Sequence, residues 1–165
     1  MLKRNLKSLS LLMIAIFISM GMVSLYGYDK SYTTYLTGSS HIDTAWCWMI
    51  PETIQVIEST WGSSISLMNA NPGYKFNGSS PQHYEWVEEY FPSLWNDIQT
   101  KYAGGQWNFV GGAWVQHDSN CPSGEGIVRQ YLYGQKYYEE KCGARATEVY
   151  LPDDFGHGWL LPQVA

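Results

Sequence analysis

A chain of 165 residues with a formal net charge of −5 and 45% hydrophobic residues has the length of one domain and the composition of a globular one. No basic block interrupts it, which argues against a nucleic-acid partner. Eight Trp and thirteen Tyr supply flat apolar faces suited to stacking on sugars or to a bulky core, and composition does not separate the two.

The chain starts with Lys3, Arg4 and Lys7, followed by an uncharged run from Ser8 to Tyr28 rich in Leu, Ile and Met. A basic segment ahead of an apolar one reads as a secretory signal over residues 1–27, which predicts a secreted or endomembrane, lysosome-like location. The cleavage site is weakly marked, so an uncleaved anchor is the alternative. Without those 27 residues the chain carries 15 acidic against 7 basic residues, a net charge of −8. Cys47, Cys121 and Cys142 are odd in number and far apart. They form no disulfide framework, and Cys47 reads as a small hydrophobe.

Tyr32–Thr37 is β-branched and aromatic and predicts a first strand. Pro51-Glu52 opens a helix, with proline at its first position and an acid in its first turn. Ile54, Ile57, Trp61, Ile65 and Met68 give that helix one apolar face, and Asn71-Pro72-Gly73 ends it. Tyr74–Asn77 alternates as a second strand. Ser80-Pro81 restarts a helix as N-cap and first-turn proline, with a kink or split at Pro92 and an end at Gly104-Gly105. Gln106–Val110 predicts a third strand. Pro122-Ser123-Gly124-Glu125 begins a helix that Cys142-Gly143 closes, and Thr147–Leu151 predicts a fourth strand. Such β-α-β-α-β-α-β alternation implies a parallel sheet or barrel. Four strands do not close a barrel, so residues 28–165 are expected to be the N-terminal part of a longer one.

Chemistry-bearing residues follow the predicted strands. His41-x-Asp43 comes after the first, with side chains two apart able to aim at one point, and Trp46 stands beside them as a flat wall. Such a pair is a natural start for a metal site, although a His–Asp hydrogen bond that ties down a loop would look the same in sequence. Trp114, His117 and Asp118 follow the third strand, and Asp153, Asp154, Phe155 and His157 follow the fourth. Functional residues of α/β folds gather where strands end. His117 and Asp118 are expected to line a pocket, His157 to pack or hydrogen-bond near it, and His83 to lie on a helix surface.

Five blocks carry a resemblance to a known family. His41-Ile42-Asp43-Thr44-Ala45-Trp46, Ser80–Trp86, Gly111–Val115, Pro122–Glu125 with Arg129-Gln130, and Leu151–His157 occur in this order and cover nearly everything from Leu36 onward. Together they resemble the class II α-mannosidases, glycoside hydrolase family 38. The resemblance implies a seven-stranded α/β barrel, one catalytic Zn2+, and retaining hydrolysis of α-mannosides in an oligosaccharide or glycoprotein glycan. Residue by residue, it implies His41, Asp43 and Asp153 as zinc ligands and Asp153 also as nucleophile. Trp46 would be the platform under the sugar, with Phe155 as a second substrate contact.

The resemblance also locates a fourth ligand and the acid/base carboxyl beyond Ala165, so these residues alone are expected not to hydrolyse substrate. Ser39, Cys47 and Gln116-His117 depart from the common pattern, the last standing where relatives often carry an acidic residue and proline. A zinc-dependent carbohydrate deacetylase and a non-catalytic sugar- or metal-binding module are the alternative functions.

Overall fold

The computed structural model describes residues 32–164, so the signal-like segment 1–27 lies outside the described residues. The chain divides into two units, Met1–Tyr35 and Leu36–Ala165, and every helix and strand described belongs to the second. In order these are β1 (Gly38–Ser39), α1 (Ile50–Ala70), β2 (Phe76–Gly78), α2 (Pro81–Tyr90), α3 (Pro92–Ala103), β3 (Trp107–Phe109), α4 (Gly124–Cys142) and α5 (Leu161–Val164). Among the described residues, no helix is long and apolar enough to cross a membrane.

The helix boundaries follow local chemistry. Glu52 reaches back to accept the Met49 N–H at 3.1 Å, capping the start of α1. Its end is held by Asn71, whose backbone N–H and side-chain amide both donate to the Leu67 carbonyl. Pro92 separates α2 from α3, as its missing N–H and fixed φ require. Ser123 accepts from the Gly126 N–H at 3.2 Å to start α4. Gly143 ends α4 in the left-handed region, at φ 73°.

The three strands form one parallel sheet in the order β1-β2-β3. In register, Gly38 faces Phe76 and Ser39 faces Asn77. Phe76 then faces Trp107, Asn77 faces Asn108, and Gly78 faces Phe109. Helices separate successive strands, as parallel pairing demands. The main core draws on α1, α2, α3 and α4 and is largely aromatic. Trp61 packs on Tyr84 at 4.5 Å and against Trp107 at 5.5 Å between ring centroids. The buried Trp107 indole N–H donates to the Tyr84 hydroxyl at 2.8 Å, which satisfies both polar atoms inside the core. A Cβ at Gly78 would lie 2.0 Å from that hydroxyl and 2.9 Å from the Trp107 ring, so the strand passes here only as glycine.

One expected strand is displaced and another is absent among the described residues. Tyr32–Thr37 carries no strand, because pairing begins only at Gly38, whose N–H donates to the Lys75 carbonyl at 2.8 Å. Thr147–Leu151 is also irregular. At its start the Gln135 side chain takes both backbone groups of the preceding Ala146, and the Glu148 carboxylate takes the Thr147 N–H. The architecture is therefore α/β with a three-stranded parallel sheet among the described residues, where four strands of a barrel were expected.

Helix α4 docks through a glycine. A Cβ at Gly134 would lie 2.1 Å from the Gly112 carbonyl oxygen and 2.8 Å from the Ala113 carbonyl carbon, both of them backbone. Gly134→Ala is expected to destabilise the fold by about 1–3 kcal/mol. Gly62→Ala on α1, where a Cβ would meet nothing within 4 Å, should stabilise by up to about 1 kcal/mol. Denaturant unfolding of the two variants checks both signs.

Candidate functional site

All three strands run out of the sheet at one end, and the segments that follow them converge there. His41, Asp43 and Trp46 come from the chain after β1; Gln116, His117 and Asp118 come after β3; Leu151, Asp153, Asp154 and Phe155 come from the segment after α4. Together they line a pocket of about 180 Å³. That is below the range of about 300–1,000 Å³ usual for drug-sized ligands and suits one ring. A larger groove of about 580 Å³ runs along α1 and the α2–α3 corner. Its lining brings no histidine or cysteine to Glu58 and Asp97, so the smaller pocket is where the chemistry lies.

The segment after β1 is tied down from beneath. Thr53, wholly buried in the first turn of α1, directs its hydroxyl at the Thr44 carbonyl (3.0 Å) and the Asp43 carbonyl (3.4 Å). The same hydroxyl accepts from the Trp48 indole N–H at 3.0 Å. The Thr44 hydroxyl meets His83 Nε2 at 3.3 Å.

His83 is therefore not a surface residue. It is 3% exposed, lies between Trp61 and Trp86, and burial followed by the charge of His41 lowers its pKa to about 4. Its position four residues before Val87 puts it on the buried face of α2, a periodicity that sequence reading had available. Ser80, expected to cap that helix with its side chain, makes no capping bond. Its backbone sits at φ 68°, and its buried hydroxyl has no partner among the described residues. Such strain is characteristic of functional turns. Cys47 is exposed, contrary to its reading as a packed hydrophobe, and all three cysteines are free.

His41 is the hub. Its Nε2 stands 3.3 Å from Asp43 Oδ1 and 3.5 Å from Asp153 Oδ2. Its Nδ1 is bonded to Gln116 Oε1. This leaves Nε2 as the ring nitrogen that faces the two carboxylates. Three electron-pair donors facing one another require a positive charge among them, either a proton on Nε2 or a metal cation.

The donor set fits zinc by type, being one imidazole nitrogen and two carboxylate oxygens. The two distances from His41 Nε2 also lie in the range of roughly 3.3–3.6 Å that separates ligands about 2.0–2.2 Å from a tetrahedral ion. Among the described residues no three such side chains form a group ready to hold a metal as they stand. The Asp153 side chain is 71% exposed.

Asp153 and Asp154 are neighbours with opposite environments. The Asp154 side chain is 1% exposed. It accepts from the Ser119 N–H at 3.3 Å, from the Ser119 hydroxyl, and from His157 Nδ1 at 3.0 Å. Burial acts to raise the Asp154 pKa, but the Ser119 and His157 bonds outweigh it and hold it below the ordinary value. Asn120 adds amide bonds to the Phe155 and Gly156 carbonyls. Asp154 thus pins the loop, and Asp153 is left turned to the pocket. Trp46 and Phe155 line the pocket at 65% and 77% exposure, leaving ring faces open to a ligand. His117 is buried beside Tyr131, with an unpartnered Nε2.

Comparisons with known proteins cover most of the chain. Positions 31–165 match the model of the family described as "Glycosyl hydrolases family 38 N-terminal domain". Alpha-mannosidase 2C1 of Homo sapiens is 41% identical over 139 residues, which is 84% of this chain and 13% of that protein. Alpha-mannosidase G of Dictyostelium discoideum is 38% identical over 141 residues, covering 86% of this chain and 13% of that protein. Alpha-mannosidase of Saccharomyces cerevisiae is 39% identical over 143 residues, covering 83% and 13%. The chain thus spans 13% of the length of these relatives. Among solved structures, 4-alpha-glucanotransferase from Thermococcus litoralis superposes with a TM-score of 0.51 at 19% identity, over 70% of this chain and 18% of that one. At that identity it is a likeness of fold alone.

Asp154 offers a pH test. Its lowered pKa stabilises the fold above the ordinary carboxyl value of 3.8, and this contribution is lost as pH falls through the lowered value. Asp154→Asn is expected to lower stability by about 1–3 kcal/mol at pH 7. The deficit should shrink below pH 3.8, as read from denaturation midpoints across pH.

Proposed function

The chain belongs to glycosyl hydrolase family 38, and from that membership and the pocket's donor set we propose that the protein is a retaining, zinc-dependent α-mannosidase. It would cleave terminal α-mannosides through a covalent glycosyl-aspartate intermediate. The observation that carries this reading is the convergence of His41 Nε2, Asp43 and Asp153 at 3.3 and 3.5 Å in a pocket walled by Trp46 and Phe155.

His41, Asp43 and Asp153 would hold the ion, which when bound supplies a charge that orients sugar hydroxyls and assists ring distortion. Trp46 offers its ring face to the apolar side of the pyranose, fixing the depth and tilt of the anomeric carbon. Asp153 attacks that carbon with a carboxylate oxygen, and the bond to the leaving oxygen breaks as the glycosyl-aspartate forms. Water then hydrolyses the ester, so two displacements return the original anomeric configuration. Asp154, already saturated by Ser119 and His157, is unsuited to attack. Its role is to keep the loop in the shape that aims Asp153. The acid/base carboxyl and a fourth ligand, which the family resemblance locates beyond Ala165, complete the machinery.

Trapping tests the mechanism. In the full-length protein, a 2-fluoro mannose analogue is expected to label Asp153, and Asp153→Asn should lower kcat by on the order of 10⁴-fold or more. Turnover of an α-mannoside with no labelled carboxylate would overturn the covalent route and favour a deacetylase-like or other direct attack by water. Mannose binding without any hydrolysis would leave only a binding module.

A further inference from the structure

Two loops give residues to the pocket, Asp118–Cys121 before α4 and Asp153–Gly158 after it, and two separate sets of bonds join them. The first set is at Asp154, which takes Ser119 and His157. The second belongs to Asn120. Its side-chain Nδ2 stands 2.6 Å from the Gly156 carbonyl oxygen and 3.3 Å from the Phe155 carbonyl oxygen. A carbonyl oxygen only accepts, so the end of the amide that faces two of them is the NH2.

The Ser119 hydroxyl also lies 3.0 Å from the Gly156 oxygen. A hydroxyl has one proton, however, and the charged Asp154 carboxylate is the stronger acceptor for it. Among the described residues, the Phe155 and Gly156 carbonyls therefore depend on Asn120 for a side-chain donor. Asn120 is itself set in place, because its backbone N–H donates to Asp118 Oδ1 at 2.8 Å and closes a tight turn. Gly156 is equally constrained. Its φ is 109°, and a Cβ there would come within 3.2 Å of Asn120 Nδ2. The Phe155 ring beside it is 77% exposed, so packing holds it little and its place follows from its backbone.

We propose that Asn120 is a positioning residue for substrate binding, which holds the Phe155–Gly156 backbone so that the Phe155 ring forms a wall of the pocket. The two sets of bonds divide the task. Asp154 steadies the Asp153 side of the loop, and Asn120 steadies the Phe155 side. Without the Asn120 amide the ring samples more positions, while the bonds of Asp154 still support Asp153. A ligand then binds only the fraction of molecules with the ring in place, and its apparent affinity falls by that fraction. Once the ligand is bound the ring is ordered again, so the cost falls on KM and not on the chemical step. The inference rests on the mannosidase reading for the contact between Phe155 and the sugar, but the placement of the ring is a property of the protein alone.

The experiment uses the full-length protein and an aryl α-mannoside. Asn120→Ala is expected to raise KM about tenfold and to change kcat less than about threefold. Phe155→Ala should also raise KM, and adding Asn120→Ala to it should raise KM no further, because Asn120 acts through that ring. A loss of stability alone gives neither this split nor this cycle. Asn120→Asp keeps the size of the side chain and the turn at Asp118 and removes only the donors. It should repeat the result, and it serves in place of Asn120→Ala if that variant does not fold. A fluorophenylalanine placed at position 155 reports the ring directly, and its fluorine signal should shift or broaden when Asn120 is replaced.

A fall in kcat with KM unchanged, additive effects in the double variant, or an unmoved fluorine signal would overturn the proposal. If the full-length protein hydrolyses no α-mannoside, the mannosidase reading fails, and the fluorine signal still decides whether Asn120 sets the ring.

Discussion

Parallel pairing of β1, β2 and β3 sends three strands out of the sheet at the same end, and the pocket residues that follow β1 and β3 take their places from that arrangement. The strands are only two or three residues long, so backbone bonds alone fix their register weakly. Side-chain volume does the rest. Gly78 must lie beneath Tyr84 and Trp107, because a Cβ there would overlap the Tyr84 hydroxyl. A slip by one residue would bring a larger side chain into that space and turn the alternate side chains to the wrong face. The buried Trp61–Tyr84–Trp107 cluster thus specifies the sheet, and the sheet specifies where His41, Ser79 and Gln116 emerge.

Beyond the strand ends, the backbone is irregular, and irregular backbone needs partners for its polar groups. Here many of those partners are side chains: Thr53 holds the Asp43 and Thr44 carbonyls, Gln130 holds the Val115 N–H, Asp154 holds the Ser119 N–H, and Asn120 holds the Phe155 and Gly156 carbonyls. Asp43 and Asp153 stay partly exposed while the residues that position them are buried. Rigid supports under accessible reactive groups are what a site needs to keep its geometry without losing its reach.

Much of this was legible in the sequence because it follows from periodicity and turn chemistry. The helices begin and end near the prolines, Ser123 and Gly143 that announce them, and β2 and β3 lie where alternation put them. What sequence missed is instructive. Tyr32–Thr37 and Thr147–Leu151 have strand-like residues, yet strand formation depends on a partner, and at the start of the second, side chains take bonds of the Ala146 and Thr147 backbone. The choice of Asp153 over Asp154 came from register against Phe155-Gly156 in the family resemblance, and the contact of Asp154 with Ser119, 35 positions earlier, agrees with it. Gln116 stood in the sequence only as a departure from a family pattern, and its contact with His41 spans 75 positions.

His41 Nε2, Asp43 and Asp153 are proposed to act together on one cation. The most direct measurement is anomalous diffraction at the zinc edge from crystals of the full-length protein. A single ion with His41 Nε2 and oxygens of Asp43 and Asp153 at about 2.0–2.2 Å is the predicted result. An ion bound through His157 and Asp154, or His41 bound through Nδ1, would contradict it.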